Sequence, residues 1–82
     1  MENLKKKIQK AVNKFKSGDL LEAEKLSETL IKSNPKIVFL YNLLGLISAS
    51  LKKIDRAFKY YQDGIKIDPN DPNIYNNIAI CS

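Results

Sequence analysis

The chain has no histidine, a single cysteine at Cys81 and a single arginine at Arg56 among its 82 residues. Without histidine, the side chain that most often moves protons near neutral pH is missing. One thiol can form neither an internal disulfide nor a cysteine-built metal site. No metal, no cofactor and no catalytic residue is therefore expected. Gly18, Gly45 and Gly64 stand apart from one another, so none belongs to a phosphate-cradling loop. Long apolar runs are also missing. Met1 to Phe15 interleaves lysines with isolated apolar residues, unlike the h-region of a signal peptide, and no stretch could span a bilayer. A cytoplasmic chain with no membrane association is the expectation.

Lysine is plentiful. Lysine and arginine together number 14 against nine acids, for a formal net charge of +5. Lys5, Lys6, Lys7, Lys10, Lys14 and Lys16 crowd the first segment, and such a cluster attracts nucleic acid, anionic lipid or acidic peptide. Nucleic acid is not expected as the partner. Phosphate readers add arginine forks or stacking aromatics, and the one aromatic nearby, Phe15, is better used in the core. The simpler reading is a solvated face, with binding of an anionic partner by the basic first helix as the alternative.

Apolar residues recur at helical spacing in five segments separated by breakers. Leu4, Ile8, Ala11, Val12 and Phe15 predict a first amphipathic helix from Asn3 to Lys16. Gly18 suits a left-handed helix end, and Asp19 with Glu22 forms a capping-box pattern for a second helix from Leu20 to Ser33. Asn34-Pro35 stops that helix. A third, from Lys36 to Leu51, is apolar around most of its circumference and should form the centre of the core. Lys52 then stands where the first unit has Gly18, which implies strain or a different turn. The fourth helix runs from Ile54 or Asp55 to Ile67, and Gly64 within it suggests a close approach. Asp71 and Pro72 are placed to cap and open a fifth.

The segments repeat. Ala11, Gly45 and Ala79 are spaced by 34 residues, as are Ala23 and Ala57, Pro35 and Pro69, and Tyr41-Asn42 and Tyr75-Asn76. Small residues on paired helices, Ala11 against Ala23 and Gly45 against Ala57, would let them cross closely. Tyr41, Leu44 and Tyr61 would fill the space between units. With Tyr60-Tyr61 and Ile67-Asp68-Pro69-Asn70-Asp71-Pro72, this pattern resembles the tetratricopeptide repeat. The resemblance implies an all-α fold of antiparallel helix pairs stacked as a short right-handed α-solenoid. Repeat 1 would cover about 4–37, repeat 2 about 38–71 and a partial repeat 3 about 72–82. Lys7, Lys10 and Lys14, where the family places apolar residues, imply an array start. Asn73 to Ser82 lacks a partner helix, which implies a chain cut short.

The resemblance also implies a non-enzymatic scaffold that binds a protein or peptide in a concave groove lined by the first helix of each unit. Carried over by position, the groove residues are Lys5, Ile8, Val12 and Phe15, then Phe39, Asn42, Leu46 and Ala49, then Asn73, Asn76, Asn77 and Ile80. Asparagine amides donate and accept, so they can hold a peptide backbone. Chaperone-binding members grip a carboxylate with lysine and asparagine at two positions that are Ile8 and Val12 here. Repeats of the O-linked N-acetylglucosamine transferase kind carry an asparagine ladder, matched by Asn77 but not by Leu43. An alternative is therefore the recruiting part of a larger glycosyltransferase or sulfotransferase. A homodimer through the unpaired last helix, leaving Ile78, Ala79 or Cys81 to be covered, is a further expectation.

Overall fold

Periodic apolar stripes, cut by glycine, lysine and proline turns, give five helices in the computed structural model, which describes residues 3–81. They are α1 (Leu4–Lys16), α2 (Leu20–Ser33), α3 (Val38–Ser50), α4 (Ile54–Ile67) and α5 (Pro72–Cys81). There is no strand among the described residues, and no helix is long and apolar enough to cross a membrane. Ser82, the last residue expected in the partial third unit, lies outside them.

The turns inside the two units are built alike. After α1, the Gly18 N–H donates to the Phe15 carbonyl at 3.1 Å and the Asp19 N–H to the Lys14 carbonyl at 2.9 Å. After α3, Lys52 and Lys53 donate to Ala49 and Ser48 at 3.0 and 2.8 Å, so the same Schellman turn is closed 34 residues later. Gly18 has φ +84° and Lys52 φ +66°, both left-handed. Lysine therefore bears a steric strain at position 52 that glycine escapes at 18.

Two local expectations fail. Asp19 precedes α2 but makes no side-chain cap; its carboxylate lies 3.8 Å from Lys14 Nζ, and its backbone is already used in the turn. The expected capping box is absent. Helix α3 begins two residues later than the breaker suggests, because Ile37 is extended at φ −89°, ψ 103°. The cap expected at Asp71 does form: its Oδ1 accepts from the Asn73 N–H at 2.8 Å.

Helix α3 packs against all four other helices. It divides the interior in two. Its residues Leu40, Leu43 and Ile47 join Ala11, Ala23 and Leu30 in one buried cluster, while Ala57, Tyr61 and Ile74 form the other. Gly45 is a place of close approach as expected, and the nearest atoms are those of the Tyr61 ring, which a Cβ there would overlap. At Gly64 a Cβ would lie 2.6 Å from Ile74 Cδ1 and 3.2 Å from Tyr41 Cβ, so this glycine admits α5.

Polar ties join the units. The Tyr41 hydroxyl donates to the Pro35 carbonyl at 2.7 Å, and Tyr75 repeats the bond to Pro69 at 2.8 Å. Each phenol thereby closes the turn leading into its own helix. Glu24, buried on α2, accepts from Lys53 Nζ at 3.1 Å through both oxygens, with Arg56 Nη1 at 3.6 Å. The Ser27 and Ser48 hydroxyls are buried and make no hydrogen bond among the described residues.

Replacing Lys52 by glycine should raise unfolding stability by about 1 kcal/mol, and Gly18→Ala should lower it by about as much, both read from urea midpoints. Burial pushes the Tyr61 hydroxyl from 10.0 up to about 12, with charge on Cys81 adding to the shift. The folded state thus favours the neutral phenol. Stability should be intact below the ordinary tyrosine value and fall as pH rises through about 12, by about 3 kcal/mol, and Tyr61→Phe should remove that share of the alkaline loss.

Candidate functional site

The helices that open each unit, α1, α3 and α5, form a row in which α3 touches both others. Helices α3 and α5 supply only uncharged side chains, whereas α1 carries six lysines beside its apolar stripe. Two troughs follow. The first, of about 410 Å³, is lined by Leu4, Lys5, Ile8, Gln9, Val12 and Lys16 of α1 and by Phe39 of α3. The second, of about 320 Å³, lies among Leu46, Ala49 and Ser50 of α3, Ile54 and Tyr61 of α4, and Asn77, Ile80 and Cys81 of α5.

The groove residues expected from sequence divide between these places. Lys5, Ile8, Val12 and Phe39 meet in the first trough, and Leu46, Ala49, Asn77 and Ile80 in the second. Asn42 stands between α3 and α5, where its Oδ1 accepts from Asn77 Nδ2 at 2.6 Å. That bond uses part of the amide capacity assigned to a ligand. Phe15 is not in either trough; it is partly covered and packs on the first buried cluster, because its place in the α1 stripe follows Ala11 and Val12 inward. Asn73 and Asn76 are exposed on α5 and line neither trough.

The troughs differ in electrostatics. Lys5 and Lys16 border the first, with no carboxylate in its lining, whereas the second has no charged lining residue. Phe39 is 52% exposed and Ile80 73%, so each trough keeps a large apolar side chain at its mouth. Of the residues expected to lack cover at the end of the array, Ala79 is exposed, while Ile78 and Cys81 pack partly against the second cluster. Gln9 and Lys16 were not singled out as groove residues. Their signal was present: Lys5, Gln9, Val12 and Lys16 share one helical face by spacing. No group of three or more His, Cys, Asp and Glu side chains among the described residues is placed to hold a metal.

A family model described as tetratricopeptide repeat matches residues 40–71. The chain is 30% identical over 78 residues to a UDP-N-acetylglucosamine--peptide N-acetylglucosaminyltransferase of Caenorhabditis elegans, covering 95% of this chain and 7% of that protein. It is 32% identical over 66 residues to Hsp70-Hsp90 organizing protein 3 of Arabidopsis thaliana, covering 80% of this chain and 12% of the relative. The Hsp70-Hsp90 organizing protein of Triticum aestivum is 30% identical over 66 residues, covering 80% and 11%. The chain therefore spans only a small part of the length of each of these relatives.

The Asn42–Asn77 bond ties α5 to α3, so Asn77→Ala should loosen α5 selectively. Its amide protons should exchange about fivefold faster, as expected for a loss of about 1 kcal/mol, while those of α2 and α3 keep their protection in hydrogen-exchange measurements.

Proposed function

The chain is built from tetratricopeptide repeats, and on that premise we propose that it is a protein-interaction scaffold receiving a peptide or protein segment along the face of α1, α3 and α5. Repeats at about 4–37 and 38–71, with a partial unit at 72–82, would present that face. The observation that carries the reading is Phe39. It is half exposed on the apolar α3, at the mouth of a trough whose other walls come from α1. Covering the exposed half of that ring gains about 1 kcal/mol from apolar burial. Asn76, exposed on α5, offers a donor and an acceptor to the partner's backbone, and Lys5 and Lys16 favour acidic groups beside the first trough. A non-enzymatic role in the cytoplasm accords with these features.

A second reading rests on the match of nearly the whole chain to a stretch of a peptide N-acetylglucosaminyltransferase. In it the same face recruits partners for a transferase domain elsewhere in a longer polypeptide. A downstream coding sequence lacking such a domain would dispose of it.

Selection from a displayed random-peptide library tests the scaffold reading. Enriched peptides should bind the wild-type chain and lose about tenfold in affinity to Phe39→Ala, with a smaller loss for Asn76→Ala, at unchanged thermal stability. Full affinity in Phe39→Ala would refute the groove.

A further inference from the structure

A third cavity is larger than either trough and shares only Leu4 with the first. About 630 Å³ lies between α1 and α2 on the side away from α3, with no α3 residue in its lining. Leu4, Leu26 and Leu30 give it an apolar floor, while Lys7, Lys10 and Lys25 rim it against the one carboxylate of Glu22. On the α1 side the charge is all of one sign, while α2 adds Glu24 and Glu28 beyond Glu22. Helix α1 carries lysines from Lys5 to Lys16 and no acidic residue. Polar groups at the floor are already engaged within α2: Thr29 Oγ1 donates to the Lys25 carbonyl at 3.0 Å, and Asn34 Nδ2 to that of Leu30 at 3.1 Å. An occupant is therefore offered apolar contact below and positive charge above.

We propose that this groove between α1 and α2 binds an acidic amphipathic helix of a partner protein. The groove runs between two antiparallel helices, and a third helix laid along it can set apolar residues at i, i+3 and i+7 on the leucine floor. Carboxylates on the flanks of that helix then meet the lysine collar. A helix with basic flanks is repelled by the same collar. Phosphate-bearing polymers meet the lysines but leave the leucines uncovered. Of its lining only Leu4 also borders the first trough, so the two sites are adjacent, and a change at Phe39 touches the trough alone.

The probe is a synthetic helical peptide with leucines at those spacings and glutamates on both flanks, labelled and titrated against the chain by fluorescence anisotropy. Saturable micromolar binding is expected, weakened about tenfold by the double substitution Lys7→Glu and Lys25→Glu, which alters exposed residues. Thr29→Arg, which fills the groove without removing its charge, should weaken it comparably, and Phe39→Ala should leave it unchanged. Circular dichroism confirms that each variant is folded.

Several results would overturn the proposal. A scrambled peptide of equal charge binding as well would reduce the site to bulk attraction. Loss of binding in Phe39→Ala would move the site to the other face. Absence of saturation up to about 1 mM would leave no site at all. Sedimentation showing a dimer that Thr29→Arg dissolves would make the occupant a second copy of this chain.

Discussion

The contact between the Tyr61 ring and the bare backbone of Gly45 sets how closely α4 can lie on α3, and the remaining packing is arranged around that distance. The missing Cβ lets a full aromatic ring sit where another residue would hold the helices apart. Tyr61 then forms a buried cluster with Ala57 and with Ile74 of α5. On the opposite side of α3, Leu40, Leu43 and Ile47 build the cluster that holds α1 and α2. One helix thus serves two small cores, which explains why it is apolar almost all round. Adding even a methyl group at position 45 would strain both.

Much of this was legible because it repeats. The spacing of Ala11, Gly45 and Ala79, the prolines at 35 and 69, and the strict helical periods place five helices with boundaries that shift by at most two residues. The departures have local causes. Asp19 has the right identity for a cap, but its backbone is committed to the Schellman turn and its carboxylate lies toward Lys14. Ile37 offers no capping oxygen, so α3 starts only when the chain has left the Pro35 turn. Gly45 was read correctly as a site of close approach, but the Tyr61 ring that lies against it was not foreseen, since spacing alone does not show which large side chain of α4 uses the gap.

The candidate surface was legible in outline and blurred in detail. Positions on the first helix of each unit do line troughs, because helical periodicity fixes the face a residue occupies. It does not fix depth. Ile8, Val12 and Phe15 all pack on the first cluster, but only Ile8 and Val12 also border a trough, and Asn42 spends its carbonyl on Asn77. The Glu24 tie to Lys53 and Arg56 had no sequence signal, being a contact 29 residues apart between groups that are ordinary on any helix. The groove between α1 and α2 was hidden for the opposite reason. Its lysines read as a solvated cap, and only the structure shows the leucines beneath them.

Two of the polar ties between helices of different units, the Glu24 ion pairs and the Asn42–Asn77 bond, differ in kind, so the array's joints respond unequally to ionic strength. Glu24 holds the first unit to the second through charges, and Lys53 and Arg56 are open enough to solvent for mobile ions to compete. Asn42 and Asn77 hold α5 to α3 through neutral amides that ions do not screen. Rising salt therefore relaxes the joint nearer the amino terminus while leaving the amide tie as it was. The spacing of the row formed by α1, α3 and α5 is a variable of the solution at one end and a constant at the other.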